Sequence, residues 1–145
     1  MAELSLEQAN QLISAIFSEA ARLGLPPIAA AVLDGGGHLK SMQRQDGLSF
    51  LRADICQAKA WGALAMGSDT HQLADRFAQD AQQQGFMQAL NAMSGGRIIP
   101  LPGGVLIRDD AGRILGAVGV AGAVSEQDEA CALAGIRSIG LAAGT

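Results

Sequence analysis

The sequence predicts a mixed α/β domain of the α+β type, in which helices pack against an antiparallel sheet. Amphipathic helical patterns occur near both ends of the chain, and two pairs of short apolar runs are each separated by a hairpin-length turn. The "GGG" turn after the first strand is too short for the crossover that a parallel Rossmann-type sheet requires. No linker or repeat divides the 145 residues, so we expect a single domain over residues 1–145.

The first third predicts a helix followed by a β-hairpin. Apolar residues recur at helical spacing from about Leu6 to Leu23, and Ser5 with Gln8 forms a capping box at the start. The apolar run from Ile28 to Asp34 and the alternating run from His38 to Gln43 are expected to pair antiparallel.

The middle third is expected to be helical. Ser49 is placed to cap a helix that runs to about Met66, and Ser68 to cap another through Asp80. Residues 78–97 are polar with scattered apolar positions, and we interpret them as a loosely packed helix pair and loop.

The last third predicts two strands, over residues 103–109 and 113–122, and then a helix to about Leu141. Ser125 and Asp128 have the spacing of a second capping box.

The glycine-rich stretch before this helix does not have the pattern of a phosphate cradle. Gly116, Gly119 and Gly122 are spaced G-x-x-G-x-x-G, whereas the dinucleotide fingerprint is G-x-G-x-x-G and a P-loop needs a following lysine. Glu126 and Asp128 in the next helix would also repel an anion. The glycines are expected either to let backbone approach backbone or to let a flat ligand lie against the strand.

Composition excludes several classes of partner. The net charge of −4 and the scarcity of aromatic residues argue against nucleic acid. No apolar run reaches the roughly 18 residues needed to span a bilayer, and no export signal precedes the first helix, so we expect a cytoplasmic protein without a membrane partner. Cys56 and Cys131 are expected to be buried, and no metal-ligand spacing is present.

The low charged fraction, 17% of the residues, indicates that some apolar surface contacts another subunit. The final helical segment, residues 130–144, is rich in Ala and Gly and would permit close packing of another element. We therefore expect a homo-oligomer larger than a dimer.

Several motifs carry a family resemblance. The stretches "DGGGHLKSMQRQDG", "QAKAWGAL", "PGGVLIRDDAGRILGAVGVAG" and "EQDEACALAGI" occur in this order within about residues 28 to 140. They resemble the GlcG/HbpS family, which also supplies the C-terminal domain of PduO-type corrinoid adenosyltransferases. The resemblance implies a profilin-like fold with a five-stranded antiparallel sheet, assembly into higher oligomers, and haem as a candidate cofactor, because some members bind haem while others accompany glycolate or diol metabolism.

His38 is the first candidate for ligand binding, because it follows the hairpin turn, where a side chain can reach a pocket rim. It could ligate haem iron or act as a general acid or base, or it could simply bond to Asp34 or a backbone carbonyl. His71, in the first turn of a polar helix, is expected to be solvated.

Lys59 is the second candidate, because its ammonium lies in a mostly apolar helical stripe and must find a partner. Asp34 and Asp46 are the expected partners, with Arg44 beside Asp46 in an R-x-D-G turn. This group is interpreted either as a structural ion pair or as a cradle for the carboxylates of haem propionates or a small organic acid. The glycines expected to line the ligand pocket are Gly103, Gly104 and Gly119.

The sequence is compatible with three functions. The first is a cytoplasmic oligomeric module that binds haem or another tetrapyrrole or corrinoid-related ligand and supports diol, glycerol or glycolate metabolism. The second is an enzyme that acts on a small organic acid or cofactor through Lys59, Arg44, Asp46 and His38. The third, implied only by the adenosyltransferase resemblance, is a structural partner of a dehydratase system.

Overall fold

The computed structural model describes residues 3–144, and over this range the chain forms five helices and five strands. In chain order they are α1 (Leu6–Arg22), β1 (Ala29–Asp34), β2 (Leu39–Arg44), α2 (Leu51–Met66), α3 (Thr70–Phe77), α4 (Ala81–Met93), β3 (Gly104–Arg108), β4 (Ile114–Ala121), α5 (Ser125–Ser138) and β5 (Ala142–Ala143).

The strands form one antiparallel sheet with the order β2-β1-β4-β3-β5. This confirms the α+β class and the antiparallel pairing of the first two strands. The pairing of β1 with β4 places the most apolar strands at the centre of the sheet, where both faces are covered.

Helices cover both faces of the sheet. Side chains alternate along β1, so that Ala30 and Val32 pack in the cluster with α1 and α5, while Ala29 and Ala31 pack with Cys56 of α2 on the opposite face. The main core lies between the sheet and the α1–α5 pair.

Glycines allow α2 to approach the second face very closely. A Cβ added at Gly119 would lie 1.8 Å from the Cys56 carbonyl oxygen, and one at Gly104 would lie 2.1 Å from the Lys59 carbonyl oxygen. At these two positions the glycines therefore let the backbone of α2 approach the backbone of the sheet.

The two hairpin turns share one geometry. Asp34 Oδ1 accepts hydrogen bonds from the backbone N–H groups of Gly36 and His38, and Asp109 Oδ1 accepts from those of Ala111 and Arg113, all at 2.9–3.0 Å. In each turn an aspartate thus replaces a backbone acceptor, which is the usual role of this residue in turns.

Four serines were expected to cap the N-termini of helices. The Ser5–Gln8 capping box is present, whereas the other three serines do not occupy the N-cap position. The N-cap of α5 is Val124, because Ser125 is already the first helical residue and makes no capping bond. Asp69, not Ser68, precedes α3. The Ser49 hydroxyl accepts from Leu51 N at 3.3 Å, one residue before the assigned cap of α2.

The expected loose helix pair at residues 78–97 is instead one regular helix, α4, which Asp80 caps by accepting from Gln83 N at 2.8 Å. The last helix ends at Ser138, three residues before the expected Leu141, and the chain then adds the short edge strand β5.

The small-residue helix α5 packs against α1 of the same chain. A Cβ at Gly135 would lie 2.6 Å from Ile16 Cγ1, which shows how close the two helices are. Its small residues therefore serve an intramolecular contact and give no support to an interface with another subunit.

Both cysteines are buried and free, as expected. Burial raises the pKa of the Cys56 thiol to about 12 and that of Cys131 to about 11, so both are disfavoured as thiolates.

In the part of the chain that the structure describes, no helix is long and apolar enough to cross a membrane.

Candidate functional site

A buried ion pair joins α2, β4 and α5 beneath the glycine strands. Lys59 and Asp128 are 2% and 1% exposed, and Lys59 Nζ lies 3.3 Å from Asp128 Oδ2. The same ammonium donates to the Val120 carbonyl at 3.0 Å, and Asp128 Oδ1 accepts from Ala123 N at 3.1 Å. Both charged groups are thus partnered inside the protein.

Burial sets the electrostatics of this pair. Desolvation lowers the pKa of Lys59 and raises the pKa of Asp128, because it disfavours the charged form of each group. The opposite charge of the partner acts against both shifts. The proximity of the two groups is what makes their burial tolerable.

The expected pairing of Lys59 with Asp34 or Asp46 is wrong. The Lys59 side chain runs from α2 beneath β3 and β4. It has room there because Gly103 has no side chain, and a Cβ added at Gly103 would lie 2.9 Å from Lys59 Nζ. This path leads to Asp128, 69 residues away in sequence.

The other residues proposed with Lys59 lie elsewhere. Arg44 is exposed at the end of β2 and donates to the Leu48 carbonyl oxygen, while Asp46 is exposed in the turn that follows. His38 precedes the other end of the same strand, a separation of about 20 Å for six extended residues. The structure does not assemble His38, Arg44, Asp46 and Lys59 into one site.

Of the three glycines expected to line the ligand pocket, Gly103 and Gly104 face Lys59 and Gly119 faces the α2 backbone. All three therefore contact the helix of their own chain.

His38 lies at a small open cavity of about 290 Å³ that Lys40 and Ile114 also line. Its side chain is 82% exposed, and its Nδ1 lies 3.4 Å from Asp34 Oδ1. The bond to Asp34, one of the alternatives for His38, is thus a long contact to an oxygen that already accepts two backbone hydrogen bonds.

His71 is not the freely solvated side chain that the sequence indicates. Its Nδ1 lies 2.8 Å from Glu129 Oε2, which links the first turn of α3 to α5. The imidazole lines a cavity of about 670 Å³ together with the apolar side chains of Leu101, Pro102 and Val124. Because His71 and Glu129 are 58 residues apart, no local pattern could reveal this pair.

A third cavity, of about 430 Å³, lies between the β1–β2 turn, α2 and the loop after α4. The guanidinium of Arg97 stacks 3.9 Å from the centre of the Trp61 ring, and Gly95 and Gly96 complete the loop wall. The residues predicted from the sequence do not include this group, although the single tryptophan of the chain and the Gly-Gly-Arg loop were visible signals.

The comparisons with known proteins identify the family. Residues 4–137 match the model of a family described as haem degrading protein HbpS-like. The chain belongs to the HbpS-like family.

Similar sequences occur in Citrobacter freundii and Salmonella typhimurium. The chain is 31% identical over 128 residues to an uncharacterized 15.0 kDa protein in the dhaT-dhaS intergenic region of Citrobacter freundii, covering 88% of this chain and 86% of that protein. It is 29% identical over 136 residues to the corrinoid adenosyltransferase PduO of Salmonella typhimurium. That match covers 94% of this chain but only 39% of PduO.

The fold of this HbpS-like chain is also found in solved structures. A crystal structure described as a PduOC:heme complex has a TM-score of 0.85 and 27% identity, over 97% of this chain and 98% of the other. The likeness thus extends over almost the whole of both chains.

Proposed function

We propose that this chain is a haem-binding module. The observation that carries the proposal is its likeness to the chain of the PduOC:heme complex, which extends over 97% of the protein. Membership of the HbpS-like family supports the same ligand class.

Two imidazoles of this protein would be candidate ligands for the iron of a porphyrin. His38 and His71 each line a surface cavity, and each has Nδ1 turned toward a carboxylate, which leaves Nε2 available to a metal. Imidazole nitrogen is the commonest protein ligand of haem iron, and a carboxylate on the other ring nitrogen is its usual support. Haem, when bound, would supply an iron that can gain or lose one electron.

The glycine strand is a poor location for this ligand, because α2 fills the face at Gly104 and Gly119. Binding at Lys59 would likewise require the ammonium to leave its buried partner Asp128. We therefore place the ligand at a surface cavity that an imidazole lines.

We also propose a homo-oligomer larger than a dimer. Large apolar side chains are exposed on the described surface, above all Phe50 at 78% and Met93 at 79%. Such side chains are typical of surfaces that contact other subunits.

The wider role in diol, glycerol or glycolate metabolism stays a prediction. The relative from the dhaT-dhaS region and the two PduO adenosyltransferases are its support.

The structure gives less support to the enzyme hypothesis. The residues assigned to that enzyme site lie apart, and Lys59 is enclosed by the protein. These residues are His38, Arg44, Asp46 and Lys59.

The test is a titration of the purified full chain with hemin, followed in the Soret region, in parallel with iron-free protoporphyrin IX. We expect a saturable band with hemin that differs from that of free hemin, and weaker binding of the iron-free ring, because it lacks the metal bond. A hemin spectrum unchanged by a stoichiometric amount of protein would overturn the proposal.

A further inference from the structure

We infer that the cavity beside Trp61 binds a small carboxylate that carries a hydrogen-bond donor, an ammonium or a hydroxyl group, at its other end. This cavity, of about 430 Å³, lies between the β1–β2 turn, α2 and the loop after α4. Its volume is in the range of small-molecule sites in proteins. The inference goes beyond haem binding and does not depend on it, because none of the described residues that line this cavity is a histidine.

The position of the Arg97 guanidinium is the first step. This exposed group stacks 3.9 Å from the centre of the Trp61 ring, and its Nε donates to the Ser94 carbonyl oxygen at 2.7 Å. Within residues 3–144 its two terminal amino groups form no hydrogen bond or ion pair. Two such groups match the two oxygens of a carboxylate. The ring and the Ser94 oxygen thus hold the side chain in place while the donors for an anion stay available.

The loop that carries Arg97 is anchored before a ligand arrives. Gly95 and Gly96 have left-handed backbone conformations, with φ of 76° and 85°, and turn the chain sharply at the end of α4. Beyond the turn, Ile98 N accepts no freedom to move away, because it donates to Asn91 Oδ1 at 3.2 Å and the Ile98 side chain is buried. Little loop freedom is then lost on binding, which improves affinity.

A carboxylate without a protein partner lines another part of the same cavity. Asp54, Gln57 and Trp61 occupy positions i, i+3 and i+7 of α2 and therefore share one face of this helix. Asp54 and Trp61 are about 10 Å apart along the helix axis. In the part of the chain that the structure describes, Asp54 forms no ion pair, and in particular none with Arg97. One charge of each sign thus lines the cavity, and neither neutralises the other.

The remaining walls suit a short aliphatic chain with a polar end. Leu33, Leu39 and Ala58 provide apolar surface. The side-chain nitrogen of Gln57 donates to the carbonyl oxygen one turn earlier at 3.3 Å, so its side-chain oxygen is the atom available to a ligand. An ammonium or hydroxyl group would therefore find two acceptors on one face of α2, the Gln57 oxygen and the Asp54 carboxylate.

The two charges decide between classes of ligand. A dicarboxylate would place one of its anions near Asp54, where like charges repel. A simple aliphatic acid would remove water from the Asp54 carboxylate without giving it a partner. A carboxylate that carries an ammonium or hydroxyl group at its other end satisfies both Arg97 and Asp54.

The experiment uses four acids of matched length, butyrate, 4-hydroxybutyrate, 4-aminobutyrate and succinate. Binding to the full chain without hemin is measured by isothermal titration calorimetry and by tryptophan fluorescence. Trp61 is the single tryptophan of the chain, so its emission reports on this cavity. We expect 4-aminobutyrate and 4-hydroxybutyrate to bind at least about 3-fold more tightly than butyrate, and succinate to bind most weakly. The preferred member of the first pair shows whether the donor is an ammonium or a hydroxyl group.

Three variants test the two charges. Arg97→Gln should bind 4-aminobutyrate at least about 10-fold more weakly, because it removes charged donors to the carboxylate. Arg137→Gln is the matched control and should bind like the wild type, because it removes an equal charge from α5 on the opposite face of the sheet. Asp54→Asn should raise the affinity for succinate relative to that for 4-aminobutyrate, because it removes the repulsion of one ligand and the ionic partner of the other.

The site is overturned if none of the four acids gives saturable heat at up to about 10 mM, or if Arg97→Gln binds as the wild type does. A change only in the urea midpoint of Arg97→Gln would mean that the Trp61 stack is purely structural. Equal affinities for butyrate and 4-aminobutyrate, or a ratio of succinate to 4-aminobutyrate affinity that Asp54→Asn leaves unchanged, would overturn recognition by Asp54.

Two further measurements keep the test decisive. Urea midpoints of the ligand-free variants identify any that fail to fold. If Arg97→Gln is one of them, Asp54→Asn decides, since a general loss of structure would weaken both acids together and leave their ratio unchanged. A chain that binds 4-aminobutyrate but not hemin would overturn the proposed haem-binding function and leave this site standing.

Discussion

The buried Lys59–Asp128 pair is the most consequential single contact in the molecule. It ties α2 to α5 beside the C-terminal end of β4, and each charge is satisfied by the other and by one backbone group. Because both side chains are nearly inaccessible, removing one charge leaves the other without its partner in a low-dielectric interior.

We expect Asp128→Asn to lower the free energy of unfolding by about 3–5 kcal/mol, because the Lys59 ammonium would then be buried opposite a neutral amide. Adding Lys59→Met should recover part of this loss, since it removes the remaining charge. Urea unfolding of both single variants and the double variant, at one protein concentration, measures the coupling. Strictly additive losses would show that the two charges do not interact.

Gly119 shows what a single methyl group would cost at the α2 contact. Its Cβ would lie 1.8 Å from the Cys56 carbonyl oxygen, so Gly119→Ala must displace the helix backbone, at a cost of at least about 1–3 kcal/mol. Gly85 in α4 has no neighbour within 4 Å of an added Cβ, and Gly85→Ala should stabilise by about 0.5–1 kcal/mol. Urea midpoints that shift in the same direction would contradict this packing argument.

At the scale of elements, the two hairpins depend on ionised aspartates. Backbone hydrogen bonds from His38 and from Arg113 hold the pKa values of Asp34 and Asp109 below the ordinary value of 3.8. The unfolded chain therefore binds more protons than the folded chain in this range. The contribution to stability is complete above pH 3.8 and is lost as the pH falls through the folded-state pKa values.

We expect the double variant Asp34→Asn, Asp109→Asn to be less stable than the wild type at pH 6 and to approach it as the pH falls below 3.8. Asparagine keeps an oxygen acceptor for the turn but does not ionise, so it isolates the contribution of charge. Urea midpoints at several pH values provide the measurement. A difference that is independent of pH would mean that ionisation of these aspartates does not stabilise the turns.

Helix caps give a second test at this scale. Asp80 accepts from Gln83 N at the start of α4, so Asp80→Ala should cost about 0.5–2 kcal/mol. Ser125 makes no capping bond, and Ser125→Ala should stay within about 0.5 kcal/mol of the wild type. The free energy of unfolding of both variants is measured in urea. A larger loss of stability in Ser125→Ala than in Asp80→Ala would show that Ser125 caps α5 after all.

Across the whole molecule, local signals predicted the fold and missed the long-range pairs. The first hairpin was predictable because the Asp34 turn and its flanking strands lie within a short stretch of chain. The partners of Lys59 and His71 were not, since Asp128 and Glu129 approach them only after α5 packs on the sheet. The sequence leaves two alternatives for the central glycines, a neighbouring backbone or a flat ligand, and the structure places the α2 backbone against Gly104 and Gly119.

The assembly of the molecule gives the final prediction. Only 17% of the residues are charged, which favours an apolar subunit interface. Because α1 covers Gly135 of α5, we expect this interface at other, exposed apolar side chains. We expect light scattering at micromolar concentration to give a mass above twice the 14.8 kDa of the chain. Phe50→Ser combined with Met93→Ser should lower that mass, because these side chains are 78% and 79% exposed in the single chain and burying them stabilises an interface. A wild-type mass near 14.8 kDa would contradict the oligomer, and an oligomer that persists unchanged in the double variant would place the interface away from Phe50 and Met93.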